Sequence, residues 1–233
     1  MSYKEKEGIH MNIKLFFQAI IKFLFGVLIV GMLVFMPANT LNYWNGWLFM
    51  GLLFVPMFIA GLVMMKKTPE LLKKRLNAKE KQNEQKQVLL FSGLMFILGF
   101  VIAGLNYRYS WTILPNIVVI IASVIFVIAY ILYAEVLREN EYLSRTIEVQ
   151  ENQKVIDTGL YKIVRHPMYF ATLLLFLSMP LILGSVISFA IFLAYPFIIA
   201  KRIKNEEEVL EKELVGYIDY KKKVKYKMIP FIW

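Results

Sequence analysis

The 233-residue chain has no cysteine and only two histidines, His10 and His166. Without thiols it has no disulfide, no thiolate nucleophile and no cysteine-ligated zinc or iron–sulfur centre. Two histidines exclude a multi-histidine metal site. Charge is also scarce: 19% of the residues are charged and 58% are hydrophobic, against about 25% and 45–50% in a soluble domain. Mean hydropathy is +0.56. That much apolar surface cannot fit inside one small core, because a globule still needs a wetted polar exterior. An ordinary soluble enzyme, a disordered chain and a fibrous repeat are excluded. Nucleotide cradles are missing too. No two glycines are separated by a single residue, so GxGxxG cannot occur. The pairs at Walker spacing, Gly26/Gly31, Gly46/Gly51 and Gly99/Gly104, are each followed by Met or Leu rather than Lys and read as packing glycines. GxSxG and HExxH are absent, and no fixed-period repeat is visible.

Long uncharged runs dominate what is present. None of the 43 residues between Lys22 and Lys66 is charged, room for two helices of about 20 residues each. The stretch from Pro37 to Asn42 reads as the turn between them, with Trp44 and Trp47 at headgroup level. Gln87–Tyr107 and Tyr109–Ala134 supply one span each. The run His166–Ala200 would be roughly 50 Å long as one helix, well beyond a hydrocarbon core of about 30 Å. Pro180 and Gly184-Ser185 therefore predict a tight hairpin of two short helices. The expected fold is an all-α polytopic membrane bundle of six spans, near 15–36, 44–65, 88–106, 111–134, 168–183 and 186–201, with a C-terminal amphipathic helix. Two regions follow: a four-span part, 1–134, and a core, 135–233. The first apolar segment is no cleaved signal peptide, because it is long, lacks a small-residue cleavage site and leads straight into a second span.

The net charge of +10 is explained by its distribution. Of 27 bases, 25 fall in segments 1–14, 66–87, 135–166 and 201–233, which alternate onto one face; Lys22 and Arg108 are the exceptions. The 66–87 loop alone carries eight, including Lys79 and Lys81. Such a bias marks the cytoplasmic side, with both termini inside. The basic excess is then a topology signal, and nucleic-acid binding is not expected. Lys22 reads either as a lysine snorkelling to the interface or as a buried functional lysine.

Polar chemistry concentrates in two blocks, Asp157–Tyr169 and Arg202–Tyr220, on either side of the hairpin. A hairpin that enters and leaves on one face must bring them together. Each block also has a plain reading by itself. Arg165-His166 fits an interface anchor, and Pro167 is an ordinary first-turn residue. Glu206–Glu208 with Lys201, Arg202 and Lys204 fits a solvated helix face. The Lys221–Lys227 run fits a contact with anionic lipid. Their shared position beside the hairpin favours a site with both signs of charge, suited to a zwitterionic ligand.

Tyr161-x-x-x-Arg165-His166-Pro167-x-Tyr169, a hydrophobic hairpin, Arg202-x-x-x-Glu206-Glu207-x-x-Leu210, Gly216-Tyr217-x-x-Tyr220 and a late Ile229-Pro230 follow one another here. This series resembles the isoprenylcysteine carboxyl methyltransferase and phospholipid methyltransferase superfamily over about Arg138 to Trp233. Leu160 stands where that family often has Pro, and Ala171 where it often has Gly. The resemblance implies an integral membrane methyltransferase that uses S-adenosyl-L-methionine, with an active site on the cytoplasmic side. It implies a cofactor pocket of Tyr161, Val164, Arg165, His166, Pro167, Tyr169, Glu206 and Glu207. Arg165 and Glu207 would carry catalysis and Tyr217 and Tyr220 would touch the substrate, with no metal. The expected acceptor is lipophilic and comes from the bilayer: an isoprenylcysteine-like carboxylate, or alternatively an ethanolamine-type phospholipid amine. A carboxylate is already ionised near pH 7, whereas an amine must lose a proton, to Glu207 or His166. The reading from another class is a non-catalytic lipid-binding or transport protein on the same scaffold.

Overall fold

A computed structural model describes residues 3–76, 83–143 and 147–233, the side chains of 3–12 and 83–85 excepted. The side chains of His10, Lys4 and Lys6, and residues Lys79, Lys81 and Arg145 altogether, lie outside the described residues. The described residues form helices and contain no strand. They are α1 (Tyr3–Ala38), α2 (Trp44–Lys67), α3 (Pro69–Leu76), α4 (Asn83–Tyr109), α5 (Asn116–Glu139), α6 (Pro167–Ile182), α7 (Val186–Phe192), α8 (Tyr195–Glu213) and α9 (Tyr217–Lys223). Among the described residues five stretches are long and apolar enough to cross a membrane: Ile13–Ala38, Trp44–Lys67, Lys86–Tyr109, Asn116–Glu139 and, with α7 and α8 taken together, Val186–Glu213. α6 has 16 residues, about 24 Å, and is shorter than the hydrocarbon core. The chain is an all-helical integral membrane protein with the expected short hairpin.

Prolines and short polar residues set most boundaries. α1 continues through Pro37 instead of turning there, and Asn39 makes the turn with a φ of 54°. α2 ends at Thr68, because a residue before proline is pushed out of the helical region. Pro115 precedes α5, so the fourth span begins at Asn116 rather than 111. Two expectations need correction. The 66–87 segment is not only a polar loop: α3 lies within it and buries Leu71 and Leu72. The return limb of the hairpin is not one helix over 186–201. It breaks at Leu193-Ala194, because Pro196 has no N–H for the carbonyl of Phe192. It then runs on as α8 to Glu213, so the Glu206-Glu207 block continues the last span and is not on a separate amphipathic helix.

The core sits where α4, α5 and the hairpin meet, around Phe49, Phe100, Phe126, Ile182 and Phe192. α5 packs chiefly on α6, and α4 packs on α1 and α7. Gly99 lets α7 approach α4: a Cβ there would fall 2.2 Å from the Phe192 ring, and Ser188 Oγ donates to the Gly99 carbonyl at 2.8 Å. At Gly51, by contrast, an added Cβ would meet no atom of the described residues within 4 Å, so none of them packs on it. Lys22 reaches out of α1 and donates from Nζ to the Leu76 carbonyl, at the end of α3, at 2.6 Å. That lysine is exposed and not buried, and a helix C-terminus favours the cation.

Candidate functional site

The apolar part of α8 stops at Ala200, and its polar half lies with the end of α5 and with residues 140–143 and 147–166. An open cleft forms there, enclosing about 870 Å³ including its mouth. One wall comes from residues 140–143 and 147–156, and the other from the α6 start, α8 and α9.

The loop that ends in Arg165-His166-Pro167 is held from three sides. Gly159 has a φ of 47°, and a Cβ there would overlap the Glu139 carboxylate. Glu139 instead accepts the Leu160 N–H at 3.0 Å. A proline at 160 would have no hydrogen to give, so this departure from the family pattern is matched by a local partner. Tyr161 is buried; its hydroxyl accepts from Asn140 Nδ2 at 2.8 Å and its carbonyl accepts from Tyr220 Oη at 2.7 Å. The third hold is the chain after α9. The Arg165 and His166 N–H groups donate to the Tyr226 and Lys227 carbonyls at 3.0 and 2.7 Å. Arg165 Nη1 donates to the Val224 and Lys225 carbonyls at 2.7 and 2.9 Å. Four consecutive carbonyls thus fix two side-chain-bearing residues. The 221–227 run, read from sequence as a lipid contact, also completes this loop.

Arg165 and His166 both point at Glu207. Arg165 Nε donates to Glu207 Oε1 at 2.7 Å, and His166 Nε2 lies 3.2 Å from the same oxygen. Lys221 and Lys227 approach Oε2 at 3.8 and 3.9 Å. Burial pushes the Glu207 carboxyl up, but the hydrogen bonds from His166 and Arg165 outweigh it and hold it at about 2. An ionised carboxylate only accepts, so the hydrogen between the pair sits on His166 Nε2.

Glu206 has a different position. Its side chain is 26% exposed and lines the cleft. Oε2 accepts from the Tyr169 hydroxyl, which in turn accepts from Arg202 Nε at 2.9 Å. His166 Nδ1 lies 3.9 Å from Oε1, and the His166 ring stacks on Tyr169. Glu208 points to solvent.

The eight residues expected at the cofactor pocket therefore separate. Tyr161, Arg165, His166, Tyr169 and Glu206 line the cleft. Glu207 sits behind them. Val164 and Pro167 are buried and help to shape the loop, with Pro167 at the first turn of α6. The two expected substrate tyrosines also differ. Tyr220 is committed to Tyr161. Tyr217 is 4% exposed, lines the cleft, and its hydroxyl has no hydrogen-bond partner among the described residues. Burial and the nearby Glu207 and Glu206 raise its pKa, so it stays a protonated donor. Arg202, read from sequence as a solvated-face partner of Glu206, lines the cleft instead, and Asn140 and the 147–156 wall were not expected. Nothing in the sequence marks Asn140 or the wall.

The charge pattern admits a zwitterion: the cleft lining holds both signs, Glu148 and Glu206 with Lys154, Arg165 and Arg202, and Met168, Val209 and Leu210 as apolar lining. Residues 118–212 match the model of the Isoprenylcysteine carboxyl methyltransferase (ICMT) family. No curated protein matches the chain.

Proposed function

We propose, from the match of residues 118–212 to the ICMT family model, that this membrane protein is a methyltransferase that uses S-adenosyl-L-methionine to methylate the carboxylate of an isoprenylcysteine-like lipid. Residues 135–233 form the catalytic core, 1–134 the supporting membrane region, and the cleft faces the cytoplasm. The observation that carries the reading is the cleft itself, lined by both signs of charge, with one buried tyrosine hydroxyl that has no partner among the described residues.

The residues fit this donor. Glu206 and Arg202 suit the ammonium and carboxylate of an amino acid moiety. Tyr217 offers a hydrogen to an oxygen or nitrogen acceptor, and Met168 and Leu210 offer apolar area to a base. When bound, the cofactor supplies an electrophilic methyl on a cationic sulfur. Glu206 and the faces of Tyr169 and Tyr217 are the groups that favour such a cation. Glu207 is a positioning residue: it orients His166 and holds Arg165 in place. A carboxylate acceptor is ionised near pH 7, so no cleft residue has to remove a proton. In-line transfer then depends on alignment more than on acid–base work.

The test uses the full chain in nanodiscs with radiolabelled S-adenosyl-L-methionine and two acceptors, S-farnesylcysteine and phosphatidylethanolamine. Label in a base-labile ester of the first is the expected result. Label on the amine lipid would transfer the reading to N-methylation, and binding of donor without transfer to either would favour a non-catalytic protein.

A further inference from the structure

A second cavity of comparable size, about 900 Å³ with its mouth, lies at the other end of the bundle. It is bounded by the starts of α2 and α5, the end of α4, the 110–114 loop and the hairpin tip at Leu183-Gly184. α5 has 24 residues, so about 36 Å separates the two ends. Nothing in the proposed methyl transfer uses this cavity.

Its walls are preformed. Asn106 is 2% exposed; its Oδ1 accepts from Thr112 N and Oγ1 at 3.1 and 2.7 Å, and its Nδ2 donates back to the Thr112 carbonyl at 3.0 Å. That clamp folds the 107–112 loop into a fixed rim. Tyr43 stacks on Tyr107 with centroids 4.2 Å apart and donates to the Leu183 carbonyl, tying the hairpin tip to the same rim. Asn45 is 8% exposed, lines the cavity and donates from Nδ2 to the Ile182 carbonyl at 2.8 Å. Among the described residues no donor reaches its Oδ1. That oxygen is a free acceptor on a residue that lines the cavity, which a ligand hydroxyl can fill.

No charged side chain lines this cavity. Arg108, in the last turn of α4, has its guanidinium 5.2 Å from the Tyr109 ring centroid and does not line the cavity. An anionic group there would lose water without gaining a counter-charge. Trp44, Trp47, Tyr109 and Trp111 stand about half exposed around this end, which places the opening at headgroup level. Ile113 and Ile117 are exposed beside it, 83% and 60%, and offer a bed for acyl chains.

We infer that this cavity is a lipid site for an uncharged, hydroxyl-bearing head group, with Asn45 Oδ1 accepting from a hydroxyl and the tails lying against α5. The site serves the leaflet opposite the methylation cleft and is independent of it.

The full chain, purified in mild detergent, is examined by native mass spectrometry with hexosyl diacylglycerol and with phosphatidylglycerol of the same acyl chains. One equivalent of the hexosyl lipid should be retained, about tenfold more tightly than the anionic lipid. Asn45→Leu should weaken its retention by about fivefold, the worth of one hydrogen bond. Asn116→Trp, on the exposed mouth of the cavity, should abolish retention by filling it. That second variant decides the matter if the first does not fold. No retained lipid, equal retention of both lipids, or retention unchanged in Asn116→Trp would overturn the inference.

Discussion

Arg165 Nε donates to Glu207 Oε1 at 2.7 Å across 42 residues of sequence, with both side chains almost fully buried. The two charges come from opposite sides of the hairpin, so their meeting measures how closely it folds back. A buried pair of this kind adds little net stability when intact, but breaking it strands a charge.

Glu207→Ala should destabilise the protein by about 3–5 kcal/mol, because it leaves the Arg165 guanidinium without its carboxylate. Glu207→Gln should keep the shape and lose most methyl transfer. Glu208→Gln, at an exposed position, should stay within about 0.5 kcal/mol and keep activity. Denaturation in detergent and turnover are measured together. Equal, small effects at both positions would restore the solvated-helix reading of this block.

The low pKa of Glu207 makes stability depend on acid. Its folded value of about 2 lies below the unfolded 4.5, so the unfolded state binds the proton first as pH falls. The stabilisation is complete above pH 4.5 and is lost as pH drops towards 2. Melting curves of wild type and Glu207→Gln should converge across that window. Curves that remain parallel would count against the pairing.

Arg165→Lys should not rescue Arg165→Ala. The guanidinium serves Glu207 through Nε and two backbone carbonyls through Nη1. A lysine tip cannot reach three acceptors in one plane. Stability should fall in both variants by about 2–5 kcal/mol, the cost of a lost buried charge-assisted contact, and donor affinity should fall with it because the Arg165 loop lines the cleft. Wild-type affinity in the lysine variant would return Arg165 to the role of an interface anchor.

Two tyrosines three residues apart should respond differently. Tyr220→Phe removes the bond to the Tyr161 carbonyl and should cost about 1 kcal/mol of stability. Tyr217→Phe removes a hydroxyl that has no protein partner among the described residues and should leave the melting temperature unchanged. Its effect should instead appear as a raised KM for donor or acceptor. A lowered melting temperature with normal KM in Tyr217→Phe would remove it from the binding site.

Orientation can be read by thiol labelling, because the chain has no native cysteine. Single cysteines in the 66–87 segment and near either terminus should react with a membrane-impermeant reagent only after the cells are opened. A cysteine at Asn39 should react from outside. The reverse pattern would move the methylation cleft to the outer face.

Membrane spans, the hairpin and the two polar blocks were legible in the sequence because each is a local property. A span is a run of uncharged residues, and a hairpin is a run too long for one crossing with breakers inside it. The break before Tyr195 was not read, although Pro196 carries it, because the hydrophobic run does not stop there. Arg165, His166, Glu206 and Glu207 stood out by type and spacing. Their separation into a cleft-lining Glu206 and a buried Glu207 came from the direction of each side chain around α8, about 100° apart, once Arg165 had occupied one of them.

Tertiary structure alone decided the rest, because the groups involved are not encoded by residue type. The carbonyls of residues 224–227 hold Arg165 and His166, and any residue supplies a carbonyl. Tyr217 and Tyr220 are the same residue in sequence; one hydroxyl meets the Tyr161 carbonyl and the other meets no protein group among the described residues, which depends on how α9 lies against the loop. The second cavity is likewise built from three asparagines scattered over some seventy residues, brought to one rim by the closure of three turns. Sequence alone determined which segments are dissolved in lipid and where charge is concentrated, since partition between water and hydrocarbon is decided locally. Which polar atoms find each other, and which are left for a ligand, follows only from packing, because hydrogen bonds require contact within about 3 Å.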